Sequence, residues 1–464
     1  MDGRARIFLT AFLGAILGLV LLASMHLPKG IYIAAPFLGL MLSFSVFYNE
    51  KIAYWLILSN IYMFGPLIGM HFPFIGTKIV WISDSILLVL AVKLFFELVR
   101  QKKDIFKDKE NILIFVLLFL GVFSALVERV PQIVVVCGLR NYFKFIPLFF
   151  AMKYLSPGKK FVKKVFLFLI FIAIINIPLS VFQFLFYHDF DYVGGIFGVG
   201  GSAVLTVFQL LIIGYVLLLS KHGIIKRGQA LFLSATLLSP IFINHTKISF
   251  FLLPLLLLYV YRDYIFRKIM HSISISLSAV VVFCFLISAY STITEDFSLK
   301  EMLSYDYLYT YLYEMPYFSN PKSLNRVSAI TFAYKNISKQ PHTLLLGVGI
   351  GNASLSQLPG GMGSYYRKYF DLKIDFITLS RMLWEYGVVG SFLFFLLIVF
   401  LWRRAVFRIK NTHDLYLRSI AETFTLLVMF LAITFVYNLS FHTDQLGGLF
   451  WLLGGFLSQK GEVV

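Results

Sequence analysis

Long apolar runs, separated by short polar segments, extend along almost the whole chain. A helix that crosses the hydrocarbon core of a membrane needs about 20 predominantly apolar residues. The runs therefore predict an all-α polytopic membrane protein with about 14 transmembrane helices. The predicted spans are 7–25, 30–48, 52–70, 79–99, 111–127, 132–155, 165–187, 202–220, 229–244, 248–261, 269–290, 376–401, 419–437 and 446–459.

One long polar stretch interrupts this pattern and divides the chain into three parts. Residues 1–290 are predicted to form an N-terminal transmembrane bundle of about 11 helices, and residues 376–464 about three C-terminal transmembrane helices. Residues 291–375 form the loop between them. Within this loop, residues 326–338 are predicted to form an amphipathic helix, because apolar side chains share one face. The alternating tyrosines from 305 to 313 fit either an extended segment or a helix.

The composition supports a membrane protein and argues against a soluble one. Of the 464 residues, 59% are hydrophobic and 14% are charged, whereas a soluble domain carries about 25% charged residues. The net charge of +18 does not indicate nucleic-acid binding, because the Lys and Arg residues lie in short loops between apolar runs. Cations in such loops set the orientation of the spans.

The positive charges alternate between the two sides of the predicted membrane. The termini and every second loop are rich in Lys and Arg, and these basic segments are expected to be cytoplasmic. The short loops on the other side hold few cations, which are Lys29, Lys78, Arg129 and Lys247. The sequence therefore predicts that both termini are cytoplasmic and that the long loop 291–375 is extracytoplasmic.

Several cations are candidates for binding a polyanionic ligand. Arg140 and Lys144 lie four residues apart in the sixth predicted span, so they share one helix face. Charged groups within a span are costly and need a partner or a function. Arg matches the geometry of a phosphate, and Lys supplies a point charge, although internal ion pairing would explain both. His245 and Lys247 lie in an outer turn, where they either bind ligand or are simply solvated.

A second candidate site lies where the long loop meets the membrane. Arg381 and Glu385 are four residues apart in the helix that follows the loop, so Glu385 either orients Arg381 toward a ligand phosphate or forms a structural pair with it. The sequence GVGIGN at 347–352 does not fit the G-x-G-x-x-G fingerprint, and we interpret it as a tight turn that returns the loop to the membrane. No spacing of His residues indicates a metal site.

The order of motifs in the last third of the chain resembles a known superfamily. Arg326 opens a helix, the turn at 347–352 follows, and a later helix contains the sequence LWEYGVVG. This order resembles the O-antigen ligases and Wzy-type polysaccharide polymerases, which are membrane glycosyltransferases of bacterial envelopes. Ligases have a His-Asn pair shortly before the Glu of that helix, where this chain has Phe376 and Ile377. The resemblance therefore favours a polymerase.

The resemblance implies a GT-C-like fold and glycosyl transfer from a lipid pyrophosphate. The expected reaction transfers a growing glycan from undecaprenyl pyrophosphate to the hydroxyl of another lipid-linked repeat unit, on the outer face of the bacterial plasma (inner) membrane. No cofactor and no metal ion are required. The expected partners are the undecaprenyl-pyrophosphate-linked oligosaccharide, the lipid bilayer and a chain-length regulator, and no nucleic acid is expected.

Residues in and beside the long loop are assigned to this chemistry. Asp375 is the first candidate for the base that deprotonates the attacking hydroxyl, and Asp371 and His342 are the next candidates. Arg381 and Glu385 complete the predicted catalytic group. The predicted substrate-binding residues are the cations and tyrosines Arg140, Lys144, His245, Lys247, Arg326, Tyr365 and Tyr366.

Two other functions remain open at this point. An O-antigen ligase of the same fold is one alternative, although Phe376 replaces the ligase His. A flippase or another transporter of lipid-linked oligosaccharides is the second, because about 14 helices would suit it. The long outer loop and the lack of a two-fold hydropathy repeat argue against a transporter.

Overall fold

The structure is a computed structural model that describes residues 49–71, 73–187, 192–244, 246–265, 304–314, 322–356 and 360–459, in which no strand occurs. Its α-helices are α1 (Glu50–Ser59), α2 (Gly65–His71), α3 (Pro73–Arg100), α4 (Lys109–Val127), α5 (Gln132–Phe143), α6 (Ile146–Tyr154), α7 (Lys159–Tyr187), α8 (Ser202–Lys221), α9 (Arg227–Asn244), α10 (Ser249–Ile265), α11 (Tyr305–Tyr309), α12 (Arg326–Ile337), α13 (Pro341–Leu346), α14 (Ser364–Lys368), α15 (Thr378–Asn411), α16 (Leu415–Tyr437) and α17 (Asp444–Leu457). Short 3₁₀ segments lie at Ile105–Lys107, Gly195–Phe197, Phe370–Leu372 and Ser440–His442, and π-helical segments at Asn60–Phe64 and Thr310–Glu314.

Several of these helices are suited to cross a membrane. In the described part of the chain, six helical stretches are long and apolar enough, or seven if the bent pair α5 and α6 is one span. The six are Glu50–Met70, Lys109–Val127, Lys159–Tyr187, Ser202–Lys221, Thr378–Asn411 and Leu415–Tyr437. This architecture is that of a helical, multi-pass membrane protein.

The predicted spans can be compared with these helices where the structure describes them. A helix occupies each predicted span within the described ranges. The helices α3, α9, α10 and α17 coincide with predicted spans but are not among the six stretches. The predicted spans 7–25, 30–48 and 269–290 lie outside the described residues. A total of about 14 spans and a GT-C-like fold therefore stay predictions.

Two helices with few exposed residues form the centre of the bundle. The side chains of α8 are buried almost continuously from Leu205 to Leu219, because this helix is apolar on all sides. Most of α16 is also buried, and α8 packs against it. Helices from both sides of the long loop pack together, since α4 contacts α15 and α6 contacts α17. By contrast, α4 and α7 expose phenylalanine and leucine side chains on their outer faces, as lipid-facing helices do.

The helix α15 is broken just after Glu385. Gly387 has φ 62° and ψ −164°, a backbone conformation that favours glycine. A break in a helix releases carbonyl groups from their intrahelical hydrogen bonds. The carbonyl of Trp384 instead accepts a 2.7 Å hydrogen bond from the backbone N–H of Val348 in the long loop. The break therefore provides an attachment point for the loop.

The long loop is largely helical where it is described. Residues 305–314 form α11 and a π-helical segment, so the alternating tyrosines are helical and not extended. The predicted amphipathic helix forms as α12, and a capping box between Asn325 and Ser328 begins it. Ala329, Ala333 and Ile337 are buried on this helix, whereas the Tyr334 side chain is 52% exposed.

Candidate active site

A glycine-rich turn inserts the long loop between the membrane helices. Gly347, Gly349 and Gly351 all have positive φ angles, of 78°, 93° and 81°. The hydroxyl of Ser124 in α4 donates a 3.2 Å hydrogen bond to the carbonyl of Gly347. A β-carbon at Gly351 would lie 2.2 Å from the carbonyl oxygen of Val134 in α5. The turn therefore fits only because these positions lack side chains, and it brings the loop against α4, α5 and α15.

Arg381 and Glu385 form a buried ion pair beneath this turn. The Nε atom of Arg381 lies 3.9 Å from a carboxylate oxygen of Glu385, and the side chains are 6% and 0% exposed. The Arg381 guanidinium carbon lies 5.4 Å from the centre of the Tyr142 ring. The rings of Tyr386 and His442 pack edge-on against the same tyrosine, with centroid distances of 5.1 and 4.7 Å. We call these five residues the Arg381 cluster.

The Arg381 cluster concentrates buried polar atoms that lack hydrogen-bond partners. Among the described residues, no well-formed hydrogen bond is present for the Oη atoms of Tyr142 and Tyr386, Nε and Nη2 of Arg381, both carboxylate oxygens of Glu385, and Nε2 of His442. Ser354, the Gly351 N–H and Tyr142 nevertheless lie close enough to interact with the Glu385 carboxylate. Buried polar groups are nearly always hydrogen-bonded, so each exception needs an explanation. Several such atoms at one place are available to hydrogen-bond a polar ligand or buried water.

Asp375 lies beside the Arg381 cluster, at the end of the long loop. Its side chain is buried, and its Oδ2 atom accepts a 3.0 Å hydrogen bond from the backbone N–H of Leu355. Burial raises the pKa of the Asp375 carboxyl above its usual range, and the positive charge of Arg381 opposes that rise. Asp375, Arg381 and Glu385 are therefore brought together, as the sequence predicts, although the role of Asp375 as a base stays a prediction.

We expect Asp375→Asn to change how stability depends on pH. The free carboxyl titrates at about 3.9, and its pKa is raised in the folded protein. The carboxyl's stabilising contribution is therefore complete below about pH 3.9 and is lost as the pH rises through the folded pKa. Asn keeps an oxygen for the Leu355 N–H but does not titrate. Between about pH 4 and about pH 7 the melting temperature should fall more for the wild type than for the variant, and equal slopes would contradict this.

The two cations of α5 each have an acidic partner. The Nε atom of Arg140 lies 2.5 Å from Oδ2 of Asp84 in α3. Lys144 forms an ion pair with Asp444 at the start of α17. The internal ion pairing left open by the sequence is thus present. Tyr142 lies between these cations in the chain, but residues two positions apart in a helix do not face each other, so the position of Tyr142 does not place either pair at the Arg381 cluster.

The remaining predicted cations are placed differently. The guanidinium of Arg326 lies over the Tyr437 ring, with its carbon 4.4 Å from the ring centre. It is near the start of α15, since Asn438 accepts hydrogen bonds from Thr378 through its carbonyl. Lys247 lies in the turn between α9 and α10. His245 lies outside the described residues.

The two tyrosines predicted to bind sugars belong to the packed interior of the loop. The Tyr366 side chain is buried, and burial raises its pKa to about 12. Tyr365 is partly buried and packs against Trp384, with a 5.5 Å distance between ring centroids. Their position supports the docking of the loop on α15, and Tyr366 presents no open face to a glycan in this structure.

Sequence reasoning missed three members of the Arg381 cluster. Tyr142 and Tyr386 lie in apolar helices, where a tyrosine is normally a packing residue. His442 lies in the short connection between α16 and α17, far from the long loop in sequence. The only available signals were the position of Tyr142 between two intramembrane cations and the nearness of His442 to Asp444 in the chain.

The described residues contain no candidate metal site, and the comparisons with known proteins give no match. Within the described ranges, no group of three or more His, Cys, Asp or Glu side chains is placed to hold a metal ion. No protein-family model and no curated protein matches the sequence. The case for a function therefore rests on the site itself and on the motifs in the sequence.

Proposed function

We propose that this chain is a membrane glycosyltransferase that polymerises lipid-linked glycans. The donor would be a growing glycan on undecaprenyl pyrophosphate, and the acceptor a hydroxyl of another lipid-linked repeat unit. The observation that carries the proposal is the Arg381 cluster, together with Asp375, at the place where the long loop docks onto the bundle. It combines a buried cation, the Glu385 carboxylate and an imidazole, each with atoms that lack hydrogen-bond partners, and the Asp375 carboxyl lies beside them.

The proposed reaction needs the kinds of groups that this cluster contains. As the bond between the glycan and the pyrophosphate breaks, negative charge develops on the leaving oxygen, and a preorganised cation stabilises it. Arg381 would supply that cation, and Glu385 would hold its guanidinium in place. A base must accept the proton of the attacking hydroxyl. Arg140 and Lys144 would contribute to donor binding if the pyrophosphate displaced the carboxylates with which they are paired.

The orientation of the protein is part of the proposal and can be tested by labelling. Ser338 at the end of α12 and Asn411 at the end of α15 are both exposed. In a background without Cys137 and Cys284, an impermeant maleimide should label Ser338→Cys in cells with a permeabilised outer membrane, because the distribution of Lys and Arg places the loop outside. Asn411→Cys should react only after lysis. The reverse pattern would contradict the proposed orientation.

Product analysis distinguishes the polymerase from the alternatives. Purified protein incubated with a synthetic lipid-pyrophosphate oligosaccharide should produce a ladder of glycans that differ by one repeat unit. A ligase would transfer the glycan once to a different lipid acceptor. A flippase would move the donor between leaflets of a vesicle and form no new bond. Either of these outcomes without a ladder would contradict the proposed polymerase.

A further inference from the structure

His442 is a titratable member of the Arg381 cluster to which the sequence motifs assign no role. It lies in the 3₁₀ segment Ser440–His442 between α16 and α17. Its ring packs edge-on against Tyr142 at 4.7 Å and against Phe441 at 5.6 Å. These contacts fix the plane of the imidazole beside the Arg381–Glu385 pair.

The surroundings of His442 determine which nitrogen carries the hydrogen. Nδ1 lies 3.4 Å from the backbone carbonyl oxygen of Asn141. A carbonyl oxygen only accepts hydrogen bonds, so this contact requires a hydrogen on Nδ1. In the neutral ring the lone pair is then on Nε2. Nε2 is buried and has no hydrogen-bond partner in the described part of the chain, so its lone pair is available.

The charges around His442 favour the neutral ring. Burial, and to a lesser extent the positive charge of Arg381, lower the pKa of His442 well below its usual range. The nearby acids are already paired, because Glu385 contacts Arg381 and Asp444 contacts Lys144. At neutral pH the imidazole is therefore uncharged and able to accept a proton.

Asp375 is less free than His442 to act as a base. One of its carboxylate oxygens accepts the hydrogen bond from the Leu355 N–H, and this contact ties Asp375 to the loop. The Nε2 lone pair of His442 has no such commitment. The hydrogen bonds therefore assign different tasks to the two residues: Asp375 holds the loop, and His442 is able to receive a proton.

We propose that Nε2 of His442 accepts the proton of the acceptor hydroxyl during glycosyl transfer, and this inference rests on the polymerase function proposed above. The acceptor oxygen forms a bond to the anomeric carbon of the donor while the bond from that carbon to the pyrophosphate oxygen breaks. The hydroxyl proton moves to His442. The negative charge and the bonding electrons leave with the lipid pyrophosphate, beside Arg381.

The test compares two variants with a matched control. His442→Asn retains an N–H near the position of Nδ1 but has no proton acceptor at Nε2, and His442→Gln is the second variant. His413→Asn is the control, because His413 is an exposed histidine between α15 and α16. At saturating donor, turnover of the two His442 variants should fall about 10²–10⁴-fold, while donor affinity stays within about 3-fold, since the proton transfer does not contribute to donor binding. The control should behave like the wild type.

The pH profile separates proton transfer from a structural role. Wild-type turnover should fall toward acid pH as the base becomes protonated, and the residual turnover of His442→Asn should not show that fall. If the wild type makes a ladder and the His442 variants retain near-normal turnover, the role of His442 is overturned, but the proposed polymerase function is not. If neither variant folds, Asp375→Asn decides, because turnover that falls about 10²–10⁴-fold with unchanged donor affinity would make Asp375 the base and overturn the role of His442. A wild type that makes no ladder would instead overturn the proposed function.

Discussion

Arg381→Ala should abolish polymer formation and lower the free energy of unfolding by about 3–5 kcal/mol. The reason is that Glu385, which is 0% exposed, would lose the cation with which it is paired. Removing one partner of a buried pair leaves an uncompensated charge in a low-dielectric interior. Denaturant titration of the purified protein measures the stability, and the glycan ladder measures the activity.

A double variant separates folding from catalysis at this pair. Replacing both partners, as Arg381→Met with Glu385→Leu, removes both charges at similar volume and should recover most of the stability. It should remain inactive, because no cation faces the leaving pyrophosphate. The control is Arg100→Ala, since the Arg100 side chain is 74% exposed in its 2.7 Å pair with Glu97, and such surface pairs contribute about 0–1 kcal/mol. Polymer formation by the double variant would contradict a catalytic role for Arg381.

Gly351→Ala should also have a large effect, because the turn that docks the loop depends on close backbone contact. A β-carbon at this position would lie 2.2 Å from the carbonyl of Val134, and the φ of 81° is unfavourable for alanine. We expect a loss of about 4 kcal/mol or more, together with loss of the ladder, since the loop would be displaced from α5. Thermal melting in detergent and the gel assay report the two effects.

Gly360→Ala is the matched control for the turn. Gly360 has a φ of 75°, but apart from its chain neighbours no atom of the described residues lies within 4 Å of the position of its β-carbon. This variant therefore measures the backbone cost alone, about 1–3 kcal/mol. If Gly351→Ala and Gly360→Ala destabilise the protein equally, the close contact between the turn and α5 does not determine stability.

The helical architecture could be predicted because the apolar runs match the length of a membrane span. The positions at which these helices break could not be predicted as readily. Nothing in the periodicity of α15 shows that the helix stops at Gly387 and resumes, because the apolar residues continue on both sides. Likewise, the sequence indicates a tight turn at residues 347–352. The fit of Gly351 against α5 is a contact between two backbones, however, and such a contact leaves no pattern of apolar side chains in the sequence.

The site could be predicted where its residues follow one another in the chain. Asp375, Arg381 and Glu385 stand out because charged residues are rare at the start of an apolar helix. Tyr142 and His442 reach the same place from distant helices, and an isolated tyrosine or histidine carries little signal in sequence. The acidic partner of Lys144 was equally hidden, because pairing across helices depends on packing and not on spacing along one helix.

The most direct test of the central claim is to count, in one reaction, the lipid pyrophosphate released and the glycosidic bonds formed. The proposed chemistry requires one undecaprenyl pyrophosphate for each new bond, because the leaving group is the only source of driving force for the transfer. The wild type should show this one-to-one relation as the ladder grows, and the Arg381→Met/Glu385→Leu variant should release none. Bonds that form without matching release, or release that persists in the double variant, would contradict the account.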